Sequence, residues 1–451
     1  MDAADLELGD LTLIAGRNNT GKTYVVYALY GFLRTWLDYG ADREYRKPPD
    51  NSPLADTLDQ LRTLLLDRSH GPVCIPREDL ETFRTHFLRN SASRFSRHGM
   101  SRTFSSPSEA FAESSLSVRH SNLTPRLRRH RVLLDRRREI TAIYSKDEVR
   151  LEARPTEDPS DHRFRLNPHR LLAKVAVPDM PEPFILSAER FGISLFYKEL
   201  DFTKNRLVEM LQQLGDDKER GRDSPFLVVD RIASRYAMPV KDNIDYTRSI
   251  PDLRNRVQVD SASLDSEIKE LMDGYYTAND GDIRFRSKAR KGRTFDIPLH
   301  LASSSARGLS DLYFYLRHKA SQDHLLIVDE PESHLDTANQ IQFARVLARF
   351  VKAGIKVLVT THSDYLIKEI NNLIMLSQVD EGTNHSLRRQ LGYAAGEGLS
   401  KDSVRAYIAE NHGLTPCAVG RYGLEMPVFD ETIDEINRVS NALSAAIYQT
   451  E

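Results

Sequence analysis

Only two cysteines, Cys74 and Cys417, occur in 451 residues, far apart and in no metal-spaced cluster. That argues against a zinc site or a disulfide framework and suits a reducing cytoplasm. Long apolar runs are missing too. None approaches the roughly 20 residues that a bilayer-spanning helix needs, which excludes a membrane transporter in one chain. The opening MDAADLELGD is acidic and lacks the basic and apolar regions of a secretion signal. Net charge is almost absent: 63 basic and 65 acidic residues leave −2, so the average points to no polyanionic partner. Charge therefore has to be read locally. The remaining composition is that of a folded globular chain, long enough for two or three domains.

Locally, charge is far from even. Between Arg84 and Ile140 stand thirteen arginines and no lysine against four carboxylates, with many serines between them. Such a stretch is a solvated insertion or a basic arm. Around it, hydrophobic patterning alternates between short strands and amphipathic helices. LTLIAG (11–16) reads as a buried strand and 22–37 as the helix after it. Residues 140–153 read as a hairpin, PEPFILSAER (181–190) as a second buried strand, and 194–214 and 264–276 as helices. A second hairpin spans 281–302, a helix 306–320, and LLIVDE opens the next strand. A helix over 339–354 and a strand over 355–363 follow, while 380–451 is mixed and mostly polar.

Two of these strands end in chemistry. GRNNTGKT (16–23) has the spacing of a phosphate-binding loop between strand and helix. Gly16 and Gly21 let the backbone wrap a phosphate, with Asn18, Asn19 and Thr20 contributing inward N–H groups. Lys22 brings a positive charge to the β- and γ-phosphates. Thr23 offers a hydroxyl to Mg²⁺, and the helix that begins there adds the positive end of its dipole. LLIVDE supplies the complement: Asp329 to hold Mg²⁺, Glu330 to orient and deprotonate the attacking water. About 300 residues separate the two motifs, which fits an ATPase head interrupted by a large insertion.

With that spacing, DEPESHLD (329–336) resembles the Walker B and D-loop of the ABC-type ATPases, and TTHSDYLI (360–367) their switch-histidine strand. The resemblance makes His362 a γ-phosphate contact. SSSARGLSDL (303–312) stands where the family has its signature, with Ser305 as the hydroxyl that reaches a partner head's γ-phosphate. It lacks the family's paired glycines, and a serine helix cap explains the same residues. The expected fold is α/β, an ABC-type P-loop head of the SMC and RecF-like kind, with a large basic insertion and a mixed C-terminal extension. Its parts are a discontinuous head (1–40, 181–205 and 281–378), an Arg-rich lobe (41–180), a helical insertion (206–280) and an extension (379–451). No aromatic precedes the P-loop to stack on adenine, so ATP rather than GTP is implied by the family alone.

Further stretches, LSAERFGISLFYKEL, LASSSARGLSDLYFYLRH, DEPESHLDTANQ, TTHSDYLIKEINNLI and YGLEMPVFDETIDEIN, resemble OLD-like ATPases of anti-phage operons, in particular the Septu-type (PtuA) family, also found in retron operons. That resemblance covers the head and tail well and 41–180 poorly. It implies a cytoplasmic ATPase with ATP and Mg²⁺, head-to-head dimers, and an HNH nuclease partner (PtuB-like) encoded nearby. The chain itself has no His-rich HNH cluster, and FDETIDE lacks the Asp-x-Asp pair of a Toprim site, so any cutting is expected in trans. DNA or RNA is a further candidate partner, through Arg126, Arg128, Arg129, Arg131, Arg136, Arg137 and Arg138. A solvated linker explains those arginines equally well, since no aromatic interleaves them. Two other readings stay open: a RecF/SMC-like repair ATPase without a dedicated nuclease, and an ATP-bound scaffold that does not hydrolyse.

Overall fold

Leu11–Ala15 forms the first strand, β1, with all five side chains buried. The computed structural model describes residues 2–40, 54–66, 71–119, 129–133, 139–153, 168–197, 236–253, 262–279, 281–288, 293–322, 324–379, 381–393, 397–426 and 435–444. The chain divides into two compact units, one of Met1–Tyr30 with Pro183–Glu451, the other of Gly31–Glu182.

After β1 the strands are β2 (Val73–Pro76), β3 (Arg129–Leu133), β4 (Glu139–Tyr144), β5 (Glu148–Ala153) and β6 (Glu182–Leu186). Then come β7 (Gly274–Asn279), β8 (Asp282–Ser287), β9 (Asp296–Pro298), β10 (His324–Asp329) and β11 (Lys356–Thr361). β12 (Val404–Glu410) and β13 (Gly413–Cys417) follow. The larger unit is built on a six-stranded sheet in the order β13-β12-β1-β11-β10-β6. β12, β1, β11 and β10 run parallel, and β13 turns back antiparallel on β12. Parallel strands covered on both faces need unbroken apolar runs, and LTLIA, HLLIVD and KVLVTT supply them. Leu11, Leu13 and Ile14 have no exposed surface, each contributing about 1.5–3 kcal/mol by burial. This is the α/β class expected, with the P-loop directly after the first parallel strand.

The helices agree with the periodicity where their ends are marked. Lys22–Gly40 follows the P-loop, Ser304–His318 precedes β10, and Thr337–Lys352 joins β10 to β11. Asp336 caps this last helix by accepting from the Asn339 N–H at 2.9 Å. The helix expected over 264–276 stops at Leu271. Asp273 takes a left-handed φ of 54° and Gly274 opens β7, so Tyr275 and Tyr276 pair with Arg286 and Phe285 instead. β7, β8 and β9 form a three-stranded antiparallel sheet that contains the expected hairpin. Of the helix expected over 194–214, residues 194–197 are described and belong to a helical stretch that begins at Arg190; the remainder lies outside the described residues.

One expectation needs correcting. The stretch 379–451, read as an extension outside the head, contributes β12 and β13 to the main sheet. β12 pairs along the whole of β1, from Leu11 opposite Val404 to Ala15 opposite Ile408. VRAYIAE is buried at five of seven positions, a strand that a mostly polar neighbourhood concealed.

The smaller unit holds a four-stranded antiparallel sheet, β2-β5-β4-β3, with helices at Leu54–Leu66, Arg77–Arg94 and Pro168–Ala176. The expected hairpin over 140–153 is β4 and β5. The Arg-rich stretch is not uniformly solvated: Arg84 is 2 % exposed, on a helix that also buries Leu80, Phe87 and Leu88. Of the nucleic-acid candidates, Arg126, Arg128, Arg136, Arg137 and Arg138 lie outside the described residues. Arg129 and Arg131 fall on β3, opposite Ile143 and Thr141. Among the described residues no helix is long and apolar enough to cross a membrane.

Candidate nucleotide-binding site

Parallel strands bring their carboxyl ends to one edge, and residues just beyond those ends converge there. β1 ends at Ala15, which is in register with Thr361 of β11; Asp329, the last residue of β10, is in register with Thr360. The P-loop, the acidic pair and the histidine are therefore neighbours by topology, although about 300 residues part the first from the others.

The loop 16–23 bends as a phosphate cradle must. Gly16, Asn19 and Gly21 have φ of 153°, 63° and 91°. Gly16 is also packed: a Cβ there would lie 2.6 Å from the Ala409 carbonyl oxygen of β12. Lys22 is 4 % exposed and donates from Nζ to the Gly16 and Arg17 carbonyls at 2.8 Å each, so the ammonium lies against the loop. Burial lowers its pKa, while the carboxylates of Glu330, Glu332 and Asp329 push it up. Thr20 ties the bend by donating to the Arg17 carbonyl at 2.8 Å, and Asn18 is exposed.

Asp329 is fully buried, and its Oδ1 accepts from the Thr360 hydroxyl. The Thr23 hydroxyl lies 3.5 Å from the same oxygen. Burial raises the Asp329 carboxyl to about 6, against the two threonine hydroxyls and with help from the charges of Glu330 and Glu189. Its Oδ2 is buried without a hydrogen-bond partner. A hard oxygen beside a hydroxyl, one lone pair unsatisfied, is a donor set that fits Mg²⁺, which takes one or two protein oxygens and completes its shell from phosphates and water.

Glu330 follows in a left-handed conformation, φ 49°, unusual for a residue with a side chain. Its N–H donates to the Thr360 hydroxyl at 3.0 Å and to the Thr360 carbonyl at 3.2 Å. His362 stands 4.0 Å from Glu330 Oε1, measured at Nδ1, and 3.1 Å from Glu332 Oε1. Glu332 Oε1 also accepts from the His362 N–H at 2.6 Å and the Thr361 hydroxyl at 2.9 Å. A carboxylate this close to Nδ1 favours a proton on that nitrogen. Ser363 caps the next helix by accepting from the Leu366 N–H at 3.2 Å, and donates to Gln340 at 2.6 Å.

Residues 198–367 match the family model described as an AAA ATPase domain. The match takes in Ser305, Asp329, Glu330 and His362, and leaves out the P-loop. No curated protein matches the chain. Among solved structures it is similar to the SMC head domain from Thermotoga maritima, at 13 % identity and TM-score 0.28 over 92 % of each chain. It is likewise similar to the Smc head domain with an extended coiled coil bound to the C-terminal domain of ScpA, derived from Pyrococcus furiosus. That pair shares 11 % identity and TM-score 0.27 over 95 % of this chain and 93 % of the other. At this level of similarity the chemistry is read from the residues of the site alone.

Ser305 falls apart from this cluster. Its hydroxyl donates to the His334 carbonyl at 2.8 Å, joining the start of the helix Ser304–His318 to the turn after β10. The cap of that helix is Ser303, which accepts from the Ala306 N–H at 3.2 Å. Arg307 folds back, donating to the His300 and Ala302 carbonyls and lying 4.4 Å over the Phe191 ring. Sequence reasoning missed Glu332, although a third carboxylate in DEPE was a signal. It also missed Arg190, which lies four residues past the end of β6. This guanidinium is 5 % exposed and donates to the carbonyls of Ser187, Asp329, Glu330 and Pro331.

Proposed function

We propose that the chain binds and hydrolyses ATP as a subunit of a bacterial anti-phage defence complex, controlling a partner HNH nuclease in trans through nucleotide-dependent head dimerisation. The observation that carries the ATPase part is the convergence of Lys22, Thr23, Asp329, Glu330 and His362 at one end of the parallel sheet. The matched ATPase domain supports it. The nuclease partner and the defence role are supported by the likeness of 186–200, 329–340, 360–374 and 422–437 to the Septu-type ATPases.

In this mechanism the P-loop N–H groups of 18–23 and the Lys22 ammonium bind the phosphates. Thr23 and Asp329 hold Mg²⁺, which when bound neutralises charge on the transferring phosphoryl group. Glu330 accepts a proton from the attacking water at its carboxylate. His362, oriented by Glu332, presents Nε2 toward the γ-phosphate. Ser305 in a second copy supplies a hydroxyl across the dimer, leaving the His334 carbonyl to do so. ATP then acts as the link between two heads, and its hydrolysis undoes that link.

The deciding experiment is a pull-down of the tagged chain expressed with its native neighbouring genes, with mass spectrometry on what stays bound. A small HNH protein at fixed stoichiometry is the expected result. A chain recovered alone or only with DNA replaces this reading with a RecF-like repair ATPase. In parallel, Lys22→Ala should abolish nucleotide binding; unchanged affinity removes the P-loop assignment and the reading with it.

A further inference from the structure

We propose that Arg190 is a positioning residue for hydrolysis, acting through the main chain of Glu330; this rests on the ATPase reading above. β6 is the strand beside β10, and Arg190 opens the helical turn just beyond it. From there Nη1 donates to the Asp329 carbonyl at 2.7 Å and the Ser187 carbonyl at 3.1 Å. Nη2 donates to the Glu330 carbonyl at 2.8 Å and the Pro331 carbonyl at 3.3 Å. One guanidinium thus holds three successive carbonyls, those of the residue that holds the metal, the residue that takes the proton, and the proline after them.

Two physical facts make this more than sheet closure. First, a left-handed backbone at a residue with a side chain persists only where its surroundings over-determine it. Glu330 is fixed on its N–H side by Thr360 and on its carbonyl side by Arg190. Releasing the carbonyl side lets residue 330 fall back toward φ < 0, which turns its carboxylate away from the cluster. Second, a fan of carbonyls at different angles suits a planar fork of five N–H donors and does not suit an ammonium. Burial pulls the guanidinium's pKa down, and the carboxylates of Asp329, Glu332 and Glu330, on the turn it arranges, push it back up.

The test compares the full chain with Arg190→Lys, Arg190→Gln, Glu330→Gln and the double variant Arg190→Lys/Glu330→Gln. Steady-state ATP hydrolysis and binding of a fluorescent ATP analogue are measured on each. Arg190→Lys should bind the analogue within about threefold of wild type and lose tenfold or more in kcat. The double variant should be no slower than Glu330→Gln, because both changes disable the same carboxylate. Unchanged kcat, binding lost in step with kcat, or a further tenfold loss in the double variant each overturn the proposal. If neither Arg190→Lys nor Arg190→Gln binds nucleotide, the residue holds the fold and the proposal is wrong. A wild-type chain that does not turn over ATP refutes the functional reading itself; wild-type turnover that survives in Arg190→Lys refutes only the role of Arg190.

Discussion

Replacing Asp311 by asparagine should flatten the pH dependence with which the helix Ser304–His318 opens. Asp311 is 1 % exposed, and both its oxygens accept from the Thr247 hydroxyl, at 3.2 and 3.1 Å. Burial raises this carboxyl from 3.8 to about 7, with the Thr247 hydroxyl and the Arg190 charge acting the other way. Between those values it is neutral in the fold and ionised in the unfolded chain, so the unfolded state binds fewer protons. Its contribution to stability is fully present below pH 3.8, is lost as pH rises to about 7, and stays lost above that. At about 1.4 kcal/mol per pH unit, flattening as the folded carboxyl begins to ionise, the step from pH 5 to 7 costs about 2 kcal/mol, or somewhat under two decades in the opening constant. Asparagine keeps an acceptor for Thr247 and cannot ionise, so it lacks that slope. Hydrogen exchange of peptides from 304–318 reads the opening directly, and dividing wild-type by variant rates at each pH cancels the intrinsic chemistry. The ratio should rise about fiftyfold from pH 5 to 7 and level off above that. A ratio flat with pH refutes the reasoning and means that the carboxylate is already ionised in the fold, held by Arg190.

Glu332→Ala removes the acceptor for the His362 N–H, the His362 ring and the Thr361 hydroxyl. ATP turnover should fall by about 10- to 100-fold with nucleotide affinity retained, the range known for groups that orient a working ligand; full turnover would show that the histidine needs no such support. Gly16→Ala drives a methyl to within 2.6 Å of the Ala409 carbonyl at a φ of 153°. It should cost about 1–3 kcal/mol of stability and abolish binding of an ATP analogue in a fluorescence titration, and tight binding would contradict the packing described for the loop.

The P-loop and the acidic pair could be read from the sequence because their chemistry is local: glycines for the bend, a lysine for charge, two acids at a strand end. Their meeting was inferred from pattern and is explained by the parallel register of β1, β11 and β10. What stayed hidden depends on contacts that leave no local mark. Arg190 acts on carbonyl oxygens, which every residue has, so nothing in the turn after β10 advertises its partner. β12 was lost in a polar tract because its seven residues carry the apolar signal alone. Of three adjacent serines, the one that caps the helix is Ser303 and the one that reaches the turn is Ser305, a difference set by φ and ψ rather than by residue type.

β1 lies between β11 and β12, so residues 11–15 are hydrogen-bonded to residues 356–361 and 404–408. β1 is therefore made long before either of the strands that flank it, and the glycine that begins the P-loop packs against a carbonyl from residue 409. Until residues 356–361 and 404–408 have been made, a nascent chain carries β1 as an unpaired edge, open to the wrong partners. Any product cut short before residue 404 keeps every nucleotide motif in its sequence and loses the wall that shapes the first of them.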